Sequence, residues 1–289
     1  MPIVVETIAS LRSHLRRARS DAARFGVTRP KVSLVPTMGA LHDGHLALVE
    51  RAVDRGEIVV VSVFVNPLQF GDAGDLERYP RTLEADLEKL APFDVAIVFA
   101  PGASEMYPKG AVQTSVSAGD VGDLYEGRTR RGHFDGVLTV VAKLLNLVQP
   151  ETIVFGDKDA QQVFLVKRMV ADLNIDVAVA TVPTVRDDDG LALSSRNRFL
   201  DARERHAARA LSRSLEAAES AADRGPDAVR AAAQAVLTGD DTVRLDYLEI
   251  VVPSTFLPVS NDATGRAIVI VAALVGDTRL IDNTAVYLG

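Results

Sequence analysis

The sequence predicts an α/β chain: a doubly wound parallel sheet followed by a smaller α+β domain. Three observations carry this. Short apolar runs rich in Val and Ile recur at residues 32–35, 58–65, 95–99, 152–155 and 177–182, separated by stretches with helical spacing. Strands buried on both faces and alternating with helices have this pattern. The alternation stops near residue 184, after which the chain turns polar, then Ala-rich, then into runs of strand type. Finally, 289 residues with 47% apolar and 25% charged side chains suit one large or two ordinary globular domains. The expected division is residues 1–184 and 185–289.

Taken in order, residues 6–25 predict a helix with Ile8, Leu11 and Leu15 on one face. The run 32–35 predicts a buried strand stopped by Pro36, 45–55 a helix and 58–65 a second buried strand. A charged helix at 83–90 precedes a strand at 95–99. Residues 136–148 are apolar almost all round, as a core helix is. A strand at 152–155, a helix at 159–173 and a strand at 177–182 complete the first domain. Residues 186–197 predict a polar loop, and 201–238 two Ala-rich helices separated by Gly225-Pro226. Strands follow at 245–251, 267–275 and near 279–282.

Composition narrows the function. Lys and Arg number 32 against 39 Asp and Glu, a net charge of -7. That balance argues against a nucleic-acid partner, whose footprint is basic. A local group of cations can still hold a phosphate. The chain has no Cys, which excludes disulfides, Cys-ligated zinc, iron–sulfur clusters and a thiol nucleophile. That composition suits a reducing cytoplasm. No apolar run reaches about 18 residues, so no spanning helix and no membrane partner are expected. The N-terminus lacks the pattern of a signal peptide.

Ligands of such sheets bind beyond the carboxyl ends of the strands. After the first strand comes Pro36-Thr37-Met38-Gly39-Ala40-Leu41-His42-Asp43-Gly44-His45. His42 and His45 lie one turn apart at a helix start, where free N–H groups and the helix dipole favour an anion. Gly39 and Gly44 let a phosphate come close to the backbone. Two other readings stay open: helix caps, or metal ligands, with the remaining His scattered at 14, 133 and 206. After residues 152–155 comes Gly156-Asp157-Lys158-Asp159-Ala160-Gln161-Gln162, with Lys158 either a phosphate cation or a solvated lysine. Asp159 is placed to cap the next helix. Ser194, Ser195 and Arg196 form a donor-rich segment at the domain junction, or an ordinary Ser-rich turn. Asn66 and Gln69, after the second strand, and Gln162 can read a polar substrate, because amides donate and accept. Asp187-Asp188-Asp189 reads as a solvated loop. Arg128, Arg130 and Arg131 border an anionic site near His133, or form a solvated face.

These segments resemble a known family. PTMGALHDGH, FVNPLQF, RYPRTLEADL, HFDGVLTVV, FGDKDAQQ, PTVR and LALSSRNRFL match the pantothenate synthetase family in order and spacing, from about residue 30 to the end. The His-x-Gly-His element alone is shared across a wider nucleotidyltransferase superfamily. The resemblance implies a Rossmann-like N-terminal domain and a small C-terminal lid. It implies the ATP-dependent joining of pantoate to β-alanine through a pantoyl adenylate, with AMP and pyrophosphate released. It also implies a Mg2+ requirement and a homodimer.

Carried over residue by residue, the resemblance places Met38, Gly39, Ala40, Leu41, His42, Asp43, Gly44, His45, Gly156, Asp157, Lys158, Asp159, Val185, Leu193, Ser194, Ser195 and Arg196 at ATP. Of these, His42, His45, Lys158, Ser194, Ser195 and Arg196 are the catalytic set, with His45 as general acid. Gln69 and Gln162 take pantoate, Gln69 also lying near β-alanine. Pro36, Met38, Val140 and Val141 wall the pantoate methyl groups. The LALSSR segment stands where class I aminoacyl-tRNA synthetases carry a mobile phosphate-binding loop. Two departures stand out. Asp157 and Ala160 replace the usual Glu and Tyr, shortening one contact and removing a ring beside Lys158. Asp86 keeps a carboxylate that could serve Mg2+, while Ala85 lacks a second. The competing functions are an adenylyltransferase using the same His loop and a nucleotide-binding sensor without turnover.

Overall fold

A parallel sheet built from the β-branched runs organises the first half of the chain. The computed structural model describes residues 1–289 except 25, 72, 109 and 111. The chain divides into two compact units: Met1–Gly156 with Leu165–Val182, and Asp157–Phe164 with Pro183–Gly289.

In the first unit β1 (Ile3–Val5) leads into α1 (Ile8–Arg24), β2 (Val32–Thr37), α2 (Asp43–Val53) and β3 (Ile58–Val63). After a 3-10 turn at Pro67–Gln69 come α3 (Ala73–Arg78), α4 (Leu83–Leu90), β4 (Ile97–Phe99), α5 (Ala103–Met106) and α6 (Glu126–Thr129). Then follow α7 (His133–Val148), β5 (Thr152–Gly156), α8 (Ala160–Asp172), whose first turn belongs to the second unit, and β6 (Ala178–Val182). The six strands are ordered β1-β4-β3-β2-β5-β6, all neighbours parallel. From β2 the chain proceeds outward to β3 and β4 on one side, then returns to β5 and β6 on the other. The switch point therefore lies between β2 and β5, where a ligand cleft is expected. One core layer packs Val35, Val59, Val61, Val98 and Val154 of the sheet with Leu48 and Val49 of α2 and Leu90 of α4.

The second unit contains α9 (Ala202–Ser220), α10 (Pro226–Leu237), β7 (Val243–Val251), β8 (Gly265–Val275) and β9 (Thr278–Leu288). The strands form an antiparallel sheet, order β7-β8-β9. Its core joins Ala207, Ala208, Leu211 and Leu215 of α9 and Val229 and Ala233 of α10 to Ala267, Val269 and Val271 of β8. Asp201 caps α9 by accepting the Glu204 N–H at 2.8 Å, and Glu204 returns the bond to the Asp201 N–H at 3.0 Å. Pro226 opens α10, where a missing N–H costs nothing.

The structure departs from the sequence expectations in specific places. β1 lies outside the expected elements: Ile3 and Val4 are exposed, and the strand exists through its pairing with β4. β2 runs through Pro36 to Thr37, because β5 pairs β2 only at Ser33 and Leu34 and no ladder bond needs a Pro36 N–H. α2 starts at Asp43 and α7 at His133, each earlier than the apolar pattern indicates. The helix expected over 6–25 spans Ile8–Arg24, and residue 25 lies outside the described residues.

α7 approaches the turn after β3 backbone to backbone. A methyl group on Gly136 would stand 2.3 Å from the Leu68 carbonyl oxygen. Gly136→Ala should therefore force the two apart and lower stability by about 1–3 kcal/mol, read as a lower urea midpoint.

Candidate active site

The loop after β2 takes a shape that few residues tolerate. Gly39 has φ 84° and Ala40 φ 53°, both left-handed. Asp86 of α4, 1% exposed, holds this turn: Oδ2 accepts the Ala40 N–H at 3.0 Å and Oδ1 the Leu41 N–H at 2.8 Å. The Thr82 hydroxyl donates to the same carboxylate at 3.4 Å, and Lys89 Nζ donates to the Leu41 carbonyl at 2.5 Å. From below, Thr37 Oγ1 donates to the Ser62 carbonyl at 2.8 Å and accepts the Gly39 N–H at 3.2 Å. A side chain on Gly39 would meet Asp86 Oδ2 and Val63 Cγ1 at 3.0 Å.

This clamp delivers His42 to the N-cap of α2 and His45 to its third position. Their rings stand 4.1 Å apart between centroids. The His42 N–H donates to His45 Nδ1 at 3.3 Å. With Nδ1 accepting, a neutral His45 carries its proton on Nε2, so that edge of the ring is a donor. Capping and chemistry are thus compatible: one nitrogen closes the helix and the other presents a donor. The adjoining strand β5 is parallel to β2, so the chain leaves Gly156 on the same sheet edge.

Beside this loop lie the amides. Gln69 Nε2 meets Met38 Sδ at 2.9 Å, and Asn66 Nδ2 donates to Gln69 Oε1 at 3.0 Å. The Tyr107 hydroxyl donates to Asn66 Oδ1 at 2.8 Å, and burial pushes its pKa up to about 12. His133 Nδ1 lies 2.9 Å from the Gln69 carbonyl while Arg130 Nη1 faces His133 Nε2 at 3.1 Å. Arginine can only donate, so Nε2 accepts and Nδ1–H donates to the Gln69 carbonyl. Of the basic run, Arg130 supports the Gln69 turn, whereas Arg128 and Arg131 are exposed. Val140 and Val141 are buried on α7.

In the second unit Lys158 lies, half-buried, in a 3-10 turn at Asp157–Asp159. Asn283 of β9 ties that turn by donating to the carbonyls of Asp157 at 2.9 Å and Lys158 at 2.8 Å. The loop before Ser194 is clamped by charge. Arg186 grips the buried Asp282 with both Nη atoms, at 2.6 and 3.0 Å. Arg205 of α9 reaches Asp187 at 2.7 Å and Asp189 at 2.9 Å. So two residues of the Asp run, read from sequence as solvated, are ion-paired, and Asp188 is the exposed one. Burial pushes the Asp189 pKa up, but the Leu191 N–H and Arg205 outweigh it and the pKa is lowered. Leu193 N–H donates to the Val185 carbonyl at 2.9 Å, and Ser194 Oγ accepts the Arg196 N–H at 3.3 Å.

The candidate residues divide between the units. Pro36, Met38 to His45, Asn66, Gln69, Asp86, Val140, Val141 and Gly156 belong to the first, while Asp157, Lys158, Asp159, Gln162, Val185 and Leu193 to Arg196 belong to the second. Lys89, Tyr107, Asp282 and Asn283 support these residues from outside the quoted segments, and Gly136 does so from within HFDGVLTVV. Among the described residues no group of three or more His, Asp or Glu side chains is placed to hold a metal ion, and no helix is long and apolar enough to cross a membrane.

The sequence pattern of the family described as pantoate-beta-alanine ligase matches residues 3–285. The chain belongs to the pantoate–β-alanine ligase family. Its relatives include the pantothenate synthetase of Leifsonia xyli, 55% identical over 97% of this chain and 99% of that one. That of Nocardia farcinica is 54% identical over 89% and 80%. The crystal structure of pantothenate synthetase from Thermus thermophilus superposes with a TM-score of 0.90 at 48% identity, covering 99% of both chains. The pantoate-beta-alanine ligase of Francisella tularensis, complexed with beta-gamma ATP and beta-alanine, gives 0.78 at 31% identity over 98% of this chain and 97% of that one. The reaction of this ligase is the ATP-dependent condensation of pantoate with β-alanine, giving pantothenate, AMP and pyrophosphate.

Two measurements check the geometry of the ligase. Asp86→Asn places an NH2 against one of two backbone N–H groups, so stability should fall by about 1–3 kcal/mol in urea. Tyr107 ionises near 10 when unfolded and about 12 when folded. Its contribution is therefore full below pH 10 and lost between pH 10 and 12, because the unfolded chain releases the proton first. Tyr107→Phe should flatten the wild-type loss of stability across that range.

Proposed function

We propose that the ligase works in two steps, with the residues of both units in the roles the family resemblance implies. The pantoate carboxylate attacks the α-phosphorus of ATP in line, pyrophosphate leaves, and a pantoyl adenylate forms. The amine of β-alanine then attacks the acyl carbon, and AMP leaves. A carboxylate is a poor acyl donor to an amine, and the mixed anhydride removes that difficulty. The protein's share is positioning and neutralisation of charge. The N–H groups at the start of α2 and the Nε2 proton of His45 serve the phosphate oxygens, His42 beside it. Lys158 and Arg196 supply fixed positive charge, and Ser194 and Ser195 supply hydroxyl donors. Gln69 and Gln162 take the polar atoms of pantoate, with Pro36, Met38, Val140 and Val141 against its methyl groups.

The observation that carries this reading is the bond from the His42 N–H to His45 Nδ1 at 3.3 Å, which leaves a neutral His45 its ring proton on Nε2 and makes that nitrogen a donor. Mg2+ is proposed as the companion of ATP. Among the described residues no group of side chains makes a cage for it, and both oxygens of Asp86, the candidate ligand, already accept from Ala40 and Leu41. Mg2+ commonly binds through substrate phosphates and water with few protein ligands. Cytoplasmic work is proposed from the Cys-free composition, which suits a reducing compartment, and the homodimer from the resemblance. A sedimentation mass of twice the chain supports the dimer.

Pyrophosphate release tests the reaction. It should need ATP and pantoate but not β-alanine for a first turnover, whereas nucleotide binding without release would favour a sensor. Lys158→Ala and His45→Ala should each slow adenylate formation by about 10²–10³, the typical loss for one preorganised donor. Near-normal adenylate formation in either variant removes that residue from the mechanism.

A further inference from the structure

Asn66 and Gln69 are three residues apart and look alike in sequence, but the structure gives them different work. Asn66 is 1% exposed. Its Oδ1 accepts the Tyr107 hydroxyl at 2.8 Å and the Leu68 N–H at 3.3 Å. Its Nδ2 donates to the Gly136 carbonyl at 3.1 Å and to Gln69 Oε1 at 3.0 Å. A primary amide offers two donors and two acceptor sites. All are used inside the protein, so Asn66 keeps nothing for a substrate.

The direction of this amide is also forced. The Gly136 carbonyl can only accept and the Leu68 N–H can only donate. Reversing Asn66 would set oxygen against oxygen at one end and N–H against N–H at the other, each a lost buried bond. The close approach of α7 at Gly136 holds that carbonyl in place. A fixed Asn66 then fixes its neighbour. Gln69 must turn Oε1 toward the Asn66 NH2, which sends Nε2 the other way, onto Met38 Sδ at 2.9 Å. A thioether is a weak acceptor. An oxygen of a bound acid is a much better partner for the same N–H.

We propose that Asn66 and Tyr107 are positioning residues that do not touch substrate. They lock the Gln69 amide so that it presents a donor, and an oxygen of the acid substrate takes that donor from the Met38 sulfur. The selectivity that follows is for an acid with an acceptor oxygen, of a carboxylate or a hydroxyl, at this point and against one that offers only a donor there, such as an ammonium group. The proposal rests on the reading of Gln69 as an acid-binding residue.

Steady-state kinetics on Asn66→Asp, Tyr107→Phe and Gln69→Ala test it, with thermal melts confirming folded enzyme. The carboxylate introduced by Asn66→Asp would accept from Gln69 and reverse its amide, setting Oε1 toward the acid. The KM for pantoate should rise about 100-fold or more while the KM for ATP stays within about twofold, the loss expected when a buried donor meets the wrong polarity. Tyr107→Phe is nearly isosteric and decides the matter should the Asn66→Asp variant not fold. It removes one of two bonds to Oδ1 and should raise the pantoate KM by roughly three- to tenfold, again without moving that for ATP. A rise with Gln69→Ala but none with folded Tyr107→Phe overturns the proposal alone. An unchanged pantoate KM in Gln69→Ala overturns the underlying reading and the proposal with it. A crystal of the pantoate complex should show a pantoate oxygen on Gln69 Nε2, and a pantoate atom hydrogen-bonded to Asn66 would refute the assignment.

Discussion

The buried carboxylate of Asp86 holds the loop from which both histidines hang. Its two oxygens take the N–H groups of Ala40 and Leu41, and those bonds keep the chain in left-handed conformations at residues 39 and 40. A left-handed alanine costs about 1–2 kcal/mol. Hydrogen bonds to a charged group contribute about 1.5–3 kcal/mol each, so two of them outweigh that strain. Released from Asp86, the turn would relax, and His42 would no longer meet the start of α2 at the angle that pairs it with His45. The bond from the His42 N–H to His45 Nδ1, which decides where a neutral ring keeps its proton, depends on that pairing.

The second unit solves the same problem with different side chains. Asn283 ties the carbonyls of Asp157 and Lys158, and Arg186 is held by a carboxylate almost fully withdrawn from water. In both units the polar support is aimed at backbone groups or at a single charged partner. Such bonds fix the path of a loop while leaving the side chains it carries to meet a ligand. The Asp187–Arg205–Asp189 arrangement anchors the segment leading to Ser194 to α9.

The amide chain from Tyr107 to Gln69 adds direction to position. Each member is oriented by a partner whose polarity is fixed by the backbone, so the donor facing Met38 is the end of a sequence of forced choices. Burial keeps Tyr107 protonated far above neutral pH, so the first donor in that chain persists there too.

The sequence by itself determined what depends on neighbours along the chain. Strands buried on both faces appear as runs of Val and Ile, α4 has the bounds its pattern indicates, and the α9–α10 break falls at Gly225-Pro226. The His-x-Gly-His element and the Lys158 turn were legible because their residues are consecutive. The tertiary structure alone decided what depends on partners far away. β1 forms because β4 offers a ladder from a distant part of the chain, with Ile3 opposite Ile97. Asp86 shows in the sequence as a carboxylate that could serve Mg2+; only folding places it 3.0 Å from an N–H 46 residues earlier, as the clamp of the histidine loop. Nor can two amides three residues apart reveal which one has its donors and acceptors used up inside the protein. That is settled by a carbonyl on α7 and a hydroxyl at Tyr107, because a hydrogen bond selects by distance and polarity and leaves no periodic trace in the chain.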